Sequence, residues 1–131
     1  KPLLGICLGM QLLFDESDEF GVHEGLHLIP GRVEAFPKDI DLLVPQMGWN
    51  QNVVNNEQSI FADVLDGSYT YFVHSYYAKC DQQYVVSYTN YGVKVPSCVE
   101  FRNVYGMQFH PEKSGEKGLE MLERFIERVD E

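Results

Sequence analysis

Positive charge is scarce in this sequence: 10 Lys and Arg stand against 20 Asp and Glu, for a formal net charge of −10. That balance disfavours broad electrostatic attraction to nucleic acid or to an anionic membrane surface. Long apolar runs are missing too, and none approaches the roughly 20 residues of a membrane span. LLGICLGMQLLF, at the start, is broken by glycines and followed by no small-residue cleavage site, which argues against a secretory leader. Cysteine is sparse. Cys7, Cys80 and Cys98 form neither pairs nor a repeating spacing, which fits a reducing cytoplasm better than a disulfide framework. Repeats, linkers and low-complexity tracts are lacking. What remains is 131 residues, 44% hydrophobic and 13% aromatic, enough for one packed domain rather than a disordered chain.

The pattern along the chain predicts an α/β domain with a β-rich insert. LLGI reads as a short buried strand, and MQLLF as the first turns of a helix. DESDEFGVHEG is an acidic, glycine-punctuated loop. LHLIPGRVEAF predicts strand, turn and strand; LLVPQMGWNQNVV predicts an extended segment around a Gly-Trp-Asn turn. SIFADVLDG predicts a short helix with Ser59 as N-cap. YTYFVHSYYAK, QYVVSYTNYG and VKVPSCVEF suit a meander, and VYGMQF is a further strand ended by His110-Pro111. In the closing helix, Leu119, Leu122, Phe125, Ile126 and Val129 share one face.

Between the first strand and helix, Gly5-Ile6-Cys7-Leu8-Gly9 leaves no room for an ordinary loop. A residue at the apex of such a turn is strained and lifted clear, and the positions two before and two after must be small. The G-x-S-x-G nucleophile elbow has this form with serine at the apex. Here the apex is a thiol. At a helix N-terminus the macrodipole favours the thiolate and lowers its pKa, and the Leu8 amide would point toward an oxyanion. A buried, inert cysteine fits the same short pattern.

A cysteine nucleophile needs a base. In QFHPEKS, Pro111 pushes His110 into extended geometry, so residues 110 and 112 should project to similar sides. Glu112 could then hold the imidazole in one tautomer, as the third member of a triad does. His23-Glu24-Gly25-Leu26-His27 matches the H-E-x-x-H zinc pattern, but that pattern works only on a helix. Gly21, Gly25 and Pro30-Gly31 argue against one, so a polar loop without metal is expected. His74, alternating with Phe72 and Tyr76, fits either a core histidine or a pocket wall.

GICLGMQ, with Gln11 four residues after the cysteine, and QFHPEKS together resemble class I (triad-type) glutamine amidotransferases. Within that family, MGWN, YFVHSYY and GLHLIPGRV are similar to the glutaminase subunits of imidazole glycerol phosphate synthase, along essentially the whole chain. The resemblance implies a flavodoxin-like α/β domain that hydrolyses L-glutamine without a cofactor and passes ammonia to a cyclase subunit in histidine biosynthesis. It implies Cys7 as nucleophile, His110 as general base and acid, and Glu112 as the orienting carboxylate. Leu8 would supply an oxyanion amide, while Gln11, His74, Ser75 and Tyr76 would hold the two ends of the substrate. Met47, Trp49, Asn50 and Lys113 would face the cyclase. Two positions depart from the family pattern: Gln46, where members often carry histidine, and His27, where they carry a small residue. Such domains begin well before the nucleophile strand, so the resemblance also implies a C-terminal portion, poorly active and self-associating alone. Another cysteine hydrolase on the same elbow (a peptidase or γ-glutamyl hydrolase) and a non-catalytic glutamine- or partner-binding module are the alternatives.

Overall fold

The computed structural model describes residues 1–131. In chain order the elements are β1 (Leu3–Ile6), α1 (Leu8–Gln11), β2 (Glu16–Ser17), β3 (His23–Glu24), β4 (Arg32–Ala35), β5 (Gln46–Gln51), β6 (Val53–Val54) and α2 (Ala62–Leu65). β7 (Tyr69–His74), β8 (Tyr76–Lys79), β9 (Val85–Asn90), β10 (Lys94–Phe101), β11 (Val104–Met107) and α3 (Gly115–Val129) complete it. This is a mixed α/β architecture, and its β-rich middle comprises β4 to β10.

The main sheet has the order β1-β11-β10-β9-β6. β1 and β11 run parallel, with Gly5 opposite Gly106 and Ile6 opposite Met107, whereas β11, β10, β9 and β6 pair antiparallel. Parallel pairing sends both chains out of the sheet at the same edge. It therefore sets Cys7, just after β1, beside the Gln108–Glu112 segment that follows β11. The remaining strands form a sheet β3-β2-β4-β8 and a two-stranded β5-β7 pair.

Successive residues of a strand face opposite ways, and the main sheet buries both faces. Cys98, Tyr105 and Met107 pack with Phe61, Leu65, Phe72, Phe109 and Met121. Val99 packs on the other side with Met10, Leu13, Phe14, Ile29 and Val33. A Leu- or Met-sized truncation in such a core costs about 2–5 kcal/mol.

Several elements differ from what the sequence pattern predicts. Helix α1 ends at Gln11, because Leu26, Leu28 and Ile29 turn inward to donate backbone hydrogen bonds to the Leu12 and Leu13 carbonyls. For the same reason LHLI is no strand; only Arg32–Ala35 is. MGWN lies within the continuous strand β5, with the turn-like φ of +120° at Gly48 absorbed in the pairing to β7. YTYFVHSYYAK is divided at Ser75 between two sheets and stays outside the β9-β10-β11 meander. The α2 N-cap position is Phe61; Ser59 acts just before it, its Oγ accepting from the Phe61 amide at 3.3 Å.

Helix α3 is rotated from its expected face. Leu119, Ile126 and Val129 are 58%, 59% and 43% exposed, while Gly118 and Met121 are buried and Phe125 packs on the core. The cause is Gly118. A β-carbon there would lie 1.9 Å from the Pro111 carbonyl oxygen, so only glycine lets the helix sit directly on the turn that carries Glu112.

Candidate active site

Cys7 follows β1 with φ 54° and ψ −109°, in the positive-φ region that a side-chain-bearing residue adopts only under strain. Its amide donates to the Met107 carbonyl at 2.7 Å, extending the β1-β11 ladder by one bond before the chain turns into α1. The elbow expected from the two glycines is present, but their roles differ. A β-carbon on Gly5 would strike the Gly9 backbone, whereas one on Gly9 meets nothing within 4 Å.

Polar neighbours of the half-buried Cys7 thiol include the Val73 carbonyl and Gln108 Nε2, each 3.8 Å from Sγ. Its pKa is raised, not lowered as the helix argument predicted. Burial is the largest cause, the Leu8 amide opposes it, and the carboxylates of Glu112 and Glu19 raise it further. A four-residue helix has little dipole with which to offset burial. Cys80 and Cys98 are less accessible to ionisation still: burial pushes Cys80 to about 12 and Cys98 higher.

His110 Nδ1 lies 2.8 Å from Glu112 Oε2, so Nδ1–H donates to the carboxylate and Nε2 is the ring nitrogen outside this bond. The pairing arises by a route the sequence reading missed. Pro111–Lys113 is a 3₁₀ turn that folds Glu112 back onto His110, where strand alternation had been expected. Ser114, also missed, fixes this corner: its Oγ donates to the His110 carbonyl at 2.6 Å and accepts from the Tyr71 amide at 3.0 Å. His110 N donates to Tyr71 O at 2.9 Å. Strand β7 thus meets the thiol at Val73 and the histidine backbone at Tyr71, two residues or roughly 7 Å apart. Cys7 and His110 make no hydrogen bond to each other, and such bonds often form only with substrate bound.

Cys7 borders a cleft of about 460 Å³ whose walls include Leu8, Gln11, Glu19, His74, Ser75 and Tyr76. All the proposed substrate-binding residues therefore lie together. Glu19 joins them; a carboxylate in an acidic loop offers no sequence signal that marks it out. Gln11 Nε2 donates to Tyr76 O and to Gln108 Oε1, both at 3.0 Å. Both its N–H groups are thereby used, leaving Oε1 as an acceptor. His74 is both core and wall: it is 7% exposed, its Nδ1–H donates to Tyr76 O at 2.8 Å, and burial lowers its pKa to about 4. A second cavity of about 420 Å³, lined by Tyr77, Lys79, Tyr88 and Lys94, contains none of these residues.

Met47 and Trp49 project, exposed, from one face of β5. Asn50 lies on the other face, where its Oδ1 accepts from Gln46 Nε2 at 3.1 Å. The expected interface set is thus split by strand alternation. Lys113 is exposed on the 3₁₀ turn. The departure Gln46 is fully buried opposite His74, and His27 is an exposed residue with φ 55° paired to Asp15 at 3.0 Å. No helix spans His23 and His27, so the spacing that would align them for zinc has no basis here. His23 Nε2 instead lies 2.7 Å from the Phe20 carbonyl.

The family model for class-I glutamine amidotransferases matches residues 1–129. The chain belongs to this family. The chain is 58% identical over 129 residues to the imidazole glycerol phosphate synthase subunit HisH of Lactiplantibacillus plantarum, covering 98% of this chain and 62% of that protein. It is 52% identical over 128 residues to HisH of Archaeoglobus fulgidus, covering 98% and 64% respectively. The chain therefore spans about three fifths of the length of the curated relatives it matches. Among solved structures, a glutamine amidotransferase from Thermotoga maritima superposes with a TM-score of 0.59 at 18% identity, covering 98% of this chain and 50% of that one. That likeness supports the fold.

Proposed function

We propose that the protein hydrolyses L-glutamine to glutamate and ammonia as the glutaminase subunit of an imidazole glycerol phosphate synthase. The observation that carries this reading is a strained Cys7 lining the cleft, with a His110–Glu112 pair on the segment that leaves the sheet at the same edge, in a chain whose relatives at 58% and 52% identity are named as imidazole glycerol phosphate synthase subunits.

Glutamine enters the 460 Å³ cleft. Its α-ammonium group is drawn to Glu19 and to the free Gln11 Oε1, since both are acceptors. Cys7 gives its proton to His110 Nε2, and the sulfur attacks the side-chain amide carbon. Glu112 stabilises the imidazolium that forms, and the Leu8 amide donates to the oxyanion. His110 protonates the leaving nitrogen, ammonia departs, and a glutamyl thioester remains. His110 then takes a proton from water, whose oxygen attacks the thioester carbon, releasing glutamate and restoring the thiol. No step in this sequence calls on a metal or organic cofactor.

Met47 and Trp49 on β5, with Lys113 on the neighbouring turn, are the proposed face for a cyclase subunit that consumes the ammonia. Asn50 supports this strand from behind. A cytoplasmic location suits three unpaired cysteines, and no helix is long and apolar enough to cross a membrane.

A glutamine-mimicking electrophile tests the reading. Peptide mapping of the full-length protein is expected to place the label on Cys7 alone. Label on Cys80 or Cys98 would overturn it, and rapid cleavage of peptides but not glutamine would favour the peptidase alternative.

A further inference from the structure

Gln108 is fully buried, precedes the histidine by two residues, and has no part in the mechanism above. Its carboxamide nevertheless lies between two groups that do. Oε1 accepts from Gln11 Nε2 at 3.0 Å, and Nε2 faces Cys7 Sγ at 3.8 Å. Carboxamide oxygen and nitrogen are interchangeable in outline, so the orientation must be read from the network. The Tyr76 carbonyl accepts only, so the end of Gln11 that meets it at 3.0 Å is the NH₂ group. That NH₂ group then requires an acceptor on Gln108, and the remaining NH₂ group of Gln108 must point at the sulfur.

On this basis we infer that Gln108 is a positioning residue: it donates a hydrogen bond to the Cys7 sulfur, in an orientation fixed by Gln11. The inference rests on Cys7 being the nucleophile. A neutral thiol is a weak acceptor and a thiolate a strong one, so the bond strengthens as the proton leaves. It matters here because burial and the nearby carboxylates oppose ionisation, and few groups around the sulfur favour it. Glu112 on the turn after β11 and Glu19 on the loop after β2 are carboxylates, His74 on β7 is neutral, and the Val73 carbonyl accepts only. His23, from β3, lines the same cleft, and His110 is the intended proton acceptor. The Leu8 amide and Gln108 are the two donors that favour the charged sulfur. The substrate-binding Gln11 and the nucleophile therefore belong to one hydrogen-bonded chain, Tyr76–Gln11–Gln108–Cys7.

The test is the pH profile of Cys7 alkylation by iodoacetamide in the full-length protein, with the site read by mass spectrometry. Gln108→Met keeps the length of the side chain and removes the donor. It is expected to move the midpoint upward and to slow alkylation at neutral pH about tenfold, the low end of what a hydrogen bond to a charged group supplies. The plateau at high pH should not change, which separates this role from a merely structural one. Gln108→Glu should shift the midpoint further, and Gln11→Met should shift it in the same direction by less. A folded Gln108→Met protein with the wild-type profile overturns the inference. If that variant does not fold, Gln11→Met decides, and an unshifted profile there overturns it equally. Wild-type Cys7 that resists alkylation at every pH contradicts the proposed function itself, a result distinct from an unshifted variant.

Discussion

A β-carbon on Gly5 would lie 2.5 Å from the carbonyl oxygen of Gly9, while a β-carbon on Gly9 would meet nothing within 4 Å. The two glycines that flank the cysteine symmetrically in sequence are therefore unequal in space. Gly5→Ala forces strand and helix apart and is expected to cost about 1–3 kcal/mol or more, as overpacking does. Gly9→Ala sits on α1 with room for its methyl group, so its effect should be neutral or stabilising by up to about 1 kcal/mol. Urea unfolding of the two variants checks the asymmetry. Equal destabilisation would contradict it.

The strain at Cys7 gives a second expectation. At φ 54° and ψ −109° glycine is more comfortable than any side-chain-bearing residue, and strain of this kind costs on the order of 1–3 kcal/mol. Part of that gain is offset by the greater entropy of glycine in the unfolded chain. Cys7→Gly is expected to raise the unfolding free energy by about 1 kcal/mol while removing the proposed nucleophile. A less stable Cys7→Gly protein would show that the elbow is relaxed.

Stability should depend on His74. Its folded pKa is depressed to about 4 from 6.5 by burial, so the folded state resists a proton that the unfolded chain accepts. Its contribution is fully present above pH 6.5 and is lost as pH falls toward 4, by up to about 3 kcal/mol. His74→Gln should flatten that part of the stability profile. An unchanged slope between pH 6.5 and 4 would assign the acid sensitivity elsewhere.

Trp49 is 53% exposed and meets Tyr71 edge-on at 6.0 Å between ring centroids. Trp49→Ala should therefore change folding stability by less than about 1 kcal/mol, while weakening a cyclase partner by about 2 kcal/mol or more, as central aromatic anchors do. Titration calorimetry against a cyclase subunit, with urea unfolding alongside, separates the two. Lost stability with undiminished affinity would return Trp49 to the fold.

The elbow was legible because its chemistry is local: two glycines around a cysteine, between a strand and a helix, restrict the backbone by themselves. The His110–Glu112 pairing was legible in outcome but not in route, since Pro111 was read through its effect on the preceding residue while the 3₁₀ turn depends on Gly118 of α3 lying against it. Gln108, Ser114 and Glu19 were not singled out, because a glutamine, a serine and a glutamate become meaningful only when long-range pairing brings Cys7, Tyr71 and the cleft against them. The helical face of α3 failed for the same kind of reason. Periodicity identifies which residues share a face, but the close contact at Gly118 decides how far that face is turned.

A covalent intermediate is the most direct mark of the proposed mechanism. Full-length protein mixed with glutamine and quenched in acid should carry one glutamyl adduct on Cys7. The adduct should be absent in Cys7→Ala, and it should not form at a measurable rate in His110→Ala. Ammonia release should fall by orders of magnitude in both variants. Undiminished ammonia release from Cys7→Ala, with no adduct in the wild type, would contradict the thioester mechanism and the assignment of this cleft.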